Sequence, residues 1–164
     1  MLRKILVALD ASERAEGVFL CAVELAEPLG ASLHLLRVIA VPPEFPPAGH
    51  VCHADALPTF LARQAEAQLR VFAERASHLH VETTVVESTR PWRAILDVAD
   101  LVGADLIALG SHGYHGIDRV FGTNAGKVAN LARRNVLVVH QEPGRAPVET
   151  YRRGARPPGV RQPP

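Results

Sequence analysis

Apolar residues recur along this chain with two alternating periods. Short aliphatic runs of strand length fall at residues 2–9, 32–40, 80–87, 106–109 and 136–139. Between them, apolar positions are spaced three and four apart, as on one face of a helix. Val18, Cys21, Ala22, Leu25 and Leu29 form the first such stripe. Phe60, Leu61, Ala65, Leu69, Phe72, Ala73 and Ala76 form the second, in a helix expected from Leu57 or Pro58 to Leu79. Trp92, Ile95, Leu96, Ala99 and Leu101 form the third, and Val128, Leu131 and Ala132 the fourth, in a helix over 123–134.

The punctuation agrees with this reading. Ser12 is a good N-cap, Pro91 suits a first helical turn, and Gly30 and Gly103 suit helix ends. Arg133 and Arg134 would complement the last helix's dipole. The run at 5–9 is apolar on both faces, as a central parallel strand must be. His34 and Arg37 make 32–40 more polar, which suggests a strand nearer an exposed edge or end. Cys21 sits on a helical stripe and reads as a small buried hydrophobe rather than a reactive thiol.

Five strands therefore alternate with four helices. Such alternation makes a parallel sheet with right-handed crossovers and helices on both faces. The fold class is α/β, a single open five-stranded Rossmann-like sheet. Sheets of this kind bind ligands beyond the carboxyl ends of the strands, where strand order reverses.

The stretch 105–127, DLIALGSHGYHGIDRVFGTNAGK, carries the candidate chemistry. An apolar strand runs into a loop with Gly110, Gly113 and Gly116, then into Gly122-Thr123-Asn124 and a helix. Glycines let backbone approach a ligand without a Cβ in the way. Thr123 or Asn124 can cap the helix, whose free N–H groups attract an anion such as a nucleotide phosphate.

Other motifs fail on spacing. Gly126-Lys127 is followed by Val128, and Gly122 stands one position too close for a phosphate-binding P-loop. Gly110, Gly113 and Gly116 lack the first glycine pair of the dinucleotide fingerprint. His112 and His115 have no nucleophile or orienting carboxylate nearby in sequence, and read as loop histidines beside phosphate or solvent. Lys127 and Arg119 read as solvated charges able to neutralise phosphates. Proline-rich residues 41–58 read as a long loop. Its His50, Cys52 and His53 are zinc-type ligands but are crowded into four residues with no partner cluster, so no metal is expected.

Several motifs together resemble the universal stress protein family. Residues 4–13, KILVALDASE, match its first strand and turn. Gly110-Ser111-His112-Gly113, a spacer, and Gly122-Thr123 match the glycine motif of its nucleotide-binding branch. The spacer, Tyr114 to Phe121, holds eight residues, one fewer than that pattern. The resemblance covers residues 1 to about 140 and implies strand order 3-2-1-4-5. It implies an adenine edged by Ala8, Leu9 and Asp10 and packed on Val38. Leu109 and Gly110 would lie beside the ribose, and Gly113, Gly122, Thr123 and Asn124 would serve the phosphates. Asp10 taken alone would be a helix cap or turn residue; opposite the glycine loop it becomes a ligand.

The implied ligand is ATP, with Mg as phosphate counter-ion, or else AMP or no ligand. The implied role is non-catalytic regulation in a stress response. The alternatives are a dimeric interaction module without nucleotide, and a slow ATP-hydrolysing or autophosphorylating protein. The family also implies a homodimer through the strand at 136–139, a bare apolar edge that pairing would protect. Asn135 stands where the family usually has proline.

Composition narrows the rest. A chain of 164 residues with 48% apolar and 21% charged residues is an ordinary globular domain. A domain over 1–140 and an irregular Pro/Arg-rich tail over 141–164 are expected. Five arginines against two glutamates make that tail basic, while the whole chain carries +1. That charge sets up no global field for nucleic acid or a membrane surface. No apolar run nears the ~20 residues of a membrane span. The start of the chain has no signal-peptide pattern, and two cysteines in unlike contexts suit a reducing cytoplasm.

Overall fold

The computed structural model describes residues 1–39, 56–111 and 123–140. Five strands, β1 (Lys4–Ala8), β2 (Ser32–Ile39), β3 (Val81–Glu87), β4 (Leu106–Gly110) and β5 (Asn135–Val139), form one sheet of order β3-β2-β1-β4-β5. Every pairing in it is parallel. Helices α1 (Ala15–Ala26), α2 (Ala56–Arg75), α3 (Pro91–Leu101) and α4 (Thr123–Leu131) connect the strands. The α/β class and the strand order expected from the sequence are both observed.

Handedness explains the layering. Strands β1, β2 and β3 step outward in one direction, so right-handed crossovers put α1 and α2 on one face. The chain then returns past β1 to β4 and steps the other way, which puts α3 and α4 on the opposite face. Side chains alternate along each strand and fill both layers. Ile5, Val7, Leu33, Leu35 and Ala108 pack with Val18, Phe19, Ala22 and Leu69. Leu6, Leu36, Ile107 and Leu109 pack with Ile95, Val98, Ala125 and Val128. Burying each Val, Leu, Ile or Phe side chain among these stabilises a fold by about 1.5–3 kcal/mol.

Several local expectations are corrected. Ser12 does not cap α1, which starts at Ala15 with no side-chain cap bond. The Asp10 carboxylate takes both the Ser12 N–H and its hydroxyl, at 2.9 and 2.6 Å, so a side-chain-closed turn separates strand from helix. Helix α1 ends at Ala26, and a 3-10 turn, Glu27–Leu29, carries the chain to Gly30 at φ 59°. Leu29 and Phe60 are exposed, and Leu101, at the last residue of α3, is 84% exposed. Cys21 is half-buried rather than buried, and burial followed by Glu24 pushes its thiol up. Helix α2 stops at Arg75, and α4 stops before Arg133 and Arg134; Arg134 instead reaches Asp100 at 3.4 Å.

Strand β2 is interior, one place from the edge, although it carries His34 and Arg37. His34 is buried because β3 supplies partners for both ring nitrogens. Glu82 lies 3.2 Å from Nδ1 and Thr84 lies 2.8 Å from Nε2. The cluster at His50, Cys52 and His53, the histidines at 112 and 115, Arg119 and the tail at 141–164 lie outside the described residues.

Candidate functional site at the sheet reversal

Strand order reverses between β1 and β4, and a cleft of about 320 Å³ opens there. Its floor is apolar, made by Leu9, Leu36, Val38, Leu109 and Ile95. Its walls carry Asp10, Ser12, Arg14, Ser111 and Asn124. The first turns of α1, α3 and α4 reach it through Ala15, Pro91 and Ala125. Parallel strands cause this convergence, because each right-handed crossover begins at a strand's carboxyl end. Helix N-termini carry free N–H groups and partial positive charge, so this end of the sheet favours an anion.

Asp10 follows β1 directly. The Leu9 N–H donates to the Leu36 carbonyl at 2.9 Å and extends the β1–β2 pairing by one step. Arg37 donates to the Leu9 carbonyl and to the Gln68 side chain, each at 3.3 Å. Burial pulls the Arg37 guanidinium below the usual arginine range, and the Asp10 charge opposes that pull. The segment bearing Asp10 is therefore held from two sides, by Arg37 and by its own turn.

Across the cleft, Gly110 ends β4 where a Cβ would sit 3.2 Å from Val18 Cγ2. A Cβ there would need the Val18 side chain to give by a few tenths of an ångström. The next residue, Ser111, donates its N–H to the Val139 carbonyl at 3.0 Å. Its hydroxyl lies 2.9 Å from His140 Nδ1. Lys127 stands over the Trp92 ring, 5.6 Å from its centroid, rather than as a purely solvated charge.

Of the residues expected at a ligand, Ala8, Leu9, Asp10, Val38, Leu109, Gly110 and Asn124 all line this one cleft. Thr123 opens α4. Gly113 and Gly122 lie outside the described residues. Sequence reasoning missed Ser12, Arg14, Ala15, Val18, Leu36, Pro91, Ile95 and Ser111. Leu36 could have been found from Val38 by the two-residue period of a strand. Pro91 and Ile95 could have been found from the reversal itself, since α3 leads back to β4. Among the described residues, no group of three His, Cys, Asp or Glu could hold a metal ion. No helix among them is long and apolar enough to cross a membrane.

Residues 1–140 match the universal stress protein family. The chain belongs to that family. It is similar to Universal stress protein A homolog 1 of Coxiella burnetii (strain RSA 493 / Nine Mile phase I), at 30% identity over 144 residues, covering 84% of this chain and 95% of that protein. A solved universal stress protein in complex with cAMP shares the fold, with TM-score 0.61, 23% identity, and coverage of 86% and 99% of the two chains. A universal stress protein family protein from Arabidopsis thaliana with AMP bound does so with TM-score 0.62, 15% identity, and coverage of 90% and 97%.

The residues of the cleft fit an adenylate. An apolar floor suits a base, a carboxylate beside it suits amino or hydroxyl donors, and helix N-termini suit phosphate. The volume falls at the small end of the usual range for ligand pockets, about 300–1,000 Å³.

Proposed function

We propose that this member of the universal stress protein family binds an adenine nucleotide in the cleft and acts as a non-catalytic regulator in a stress response. ATP is the first candidate, with Mg as its phosphate counter-ion, and AMP is the second. One observation carries the reading: Asp10 and Gly110, far apart in sequence, face one cleft into which the first turns of α1, α3 and α4 also open. The two family members solved with AMP and with cAMP support the same ligand class.

In this reading the base lies on Val38 and Leu36, and Asp10 accepts a hydrogen bond from the base or the ribose. Leu109 and Gly110 flank the ribose, while Asn124, Thr123, Gly113 and Gly122 serve the phosphates. Ligand occupancy alters the cleft rim and so the surface offered to a protein partner in the cytoplasm. Sustained ATP turnover is not part of this role.

Titration calorimetry of nucleotide-stripped protein with ATP, AMP and cAMP tests it. Saturable binding at sub-millimolar adenylate, weakened by Asp10→Ala, is the expected result. No saturable binding at millimolar ATP would remove it. That outcome would favour a second reading, an interaction module of the same fold without nucleotide, for which the eight-residue spacer speaks.

A homodimer through β5 accompanies either reading. Asn135–Val139 is an edge strand with no charged residue, and its aliphatic side chains are half-buried. Such an edge is usually covered. Sedimentation at micromolar concentration should give a dimer, and a Val138→Lys variant should give a monomer.

A further inference from the structure

We propose that Arg14 sets the phosphate preference of the cleft, its guanidinium pairing with the 5′-phosphates so that ATP binds ahead of AMP and adenosine; this rests on the nucleotide reading above. Arg14 is half-buried and lines the cleft. Among the described residues that do so, it is the only cation, and Asp10 is the only anion. The lining therefore carries no net charge, and a polyphosphate needs a positive partner there. An arginine suits that need, because its planar fork can hold two phosphate oxygens at once.

The packing of α1 on β4 fixes where this residue stands. Val18 Cγ2 lies 3.2 Å from the place a Cβ would take on Gly110, the last residue of β4. Arg14 is one helical turn earlier, and its carbonyl accepts the Val18 N–H at 3.3 Å. Its own backbone is α-like, at φ −73° and ψ −19°, so it shares the Val18 face. Helix α1 runs back along the sheet, so one turn earlier means about 5.4 Å further past the strand ends. Arg14 therefore stands over the opening beyond Gly110, where the ribose passes into its phosphates. At Ser111 the backbone cannot serve them, since its N–H is already given to the Val139 carbonyl at 3.0 Å.

Helix α1 gains nothing locally from an arginine at this position. Arg14 is its N-cap residue and makes no side-chain cap bond. Ser, Thr, Asp or Asn would cap better, and a cation here opposes the helix dipole. Glu16, the acid of the first turn, is held by Arg75 of α2, whose two terminal nitrogens donate to its two oxygens. The turn thus sends its negative charge toward α2 and its positive charge toward the cleft. A residue that breaks a local rule beside a cleft is most economically explained by what the cleft holds.

The test titrates the full chain with adenosine, AMP and ATP in one Mg-containing buffer, for the parent, Arg14→Ala, Arg14→Gln and Arg14→Lys. Arg14→Ala and Arg14→Gln should weaken ATP binding about tenfold or more, AMP binding less, and adenosine binding not at all. Arg14→Lys should keep part of the ATP preference, since it retains the charge without the fork. Added salt should weaken ATP binding more in the parent than in Arg14→Ala. An arginine with a merely structural role would leave the order of the three ligands as it was. Equal weakening of all three ligands, or ATP affinity within about twofold of the parent in both neutral variants, would overturn the proposal while leaving nucleotide binding intact. No saturable binding of any of the three to the parent would overturn both readings, and the parent titration identifies which has failed.

Discussion

Two aspartates bracket the central strand β1, and the protein uses them in opposite ways. Asp105 closes the amino end of the sheet. Its carboxylate accepts the Arg3 and Lys4 N–H groups at 2.8 and 3.0 Å, and its own N–H donates to the Lys4 carbonyl at 2.9 Å. The Arg3 N–H, then that of Lys4, holds its carboxyl below the usual carboxylate range. Asp10 stands at the carboxyl end, on a turn of its own making, at the wall of a cleft. One carboxylate finishes a β-ladder; the other ends a strand and faces a site. The residue type is the same, and what differs is which end of a parallel sheet receives it. Amino ends offer strand N–H groups to be satisfied, whereas carboxyl ends open toward helix N-termini.

The contrast can be broken most forcefully at Gly110. Gly110→Val should overpack against Val18, destabilise the fold by about 1–3 kcal/mol, and abolish adenylate binding. Thermal melts and calorimetry would measure both effects. Asp10→Ala comes next. Loss of a charged hydrogen-bond acceptor at the ligand should weaken binding about tenfold or more, with a smaller effect on melting temperature.

Asp105→Asn should invert that pattern, lowering the melting temperature at neutral pH while adenylate affinity holds. A carboxyl whose folded-state pKa is depressed stabilises above its unfolded value, about 3.9 for aspartate, and loses that contribution as pH falls through the folded value. The gap in melting temperature between parent and Asp105→Asn should therefore close on acidification through that range. Equal losses of stability from the two aspartate variants would dissolve the contrast. The smallest effect is expected at Leu101, which helical spacing assigned to the core. Its side chain is 84% exposed, so Leu101→Gln should change stability by no more than about 0.5 kcal/mol in chemical denaturation.

Leu101 also shows where periodicity stops being informative. A helical stripe predicts which face turns inward, and Ile95 and Ala99 obey it. It does not say how far along its axis a helix remains over the sheet, and α3 ends with Leu101. Ser12 shows a related gap. Its type suits a cap, but Asp10 two residues earlier competes for its N–H and hydroxyl, and the turn prevails. His34, with Arg37, suggested a strand nearer an exposed edge or end. Only the register that sets His34 beside Glu82 explains how an imidazole sits inside the sheet.

What the chain determined by itself was the alternation of strand and helix, and with it a parallel sheet wound on both faces. Local spacing carries that information, because each element's buried face repeats with its own period. Ala8, Leu9, Asp10, Leu109 and Gly110 were named through the family resemblance, and they line one cleft at the carboxyl ends of β1 and β4. Tertiary structure alone decided that Arg37 holds the Leu9 carbonyl and that Ser111 meets His140. These relations join positions tens of residues apart. They depend on the register of strands and the direction of crossovers, which no local stretch of sequence contains.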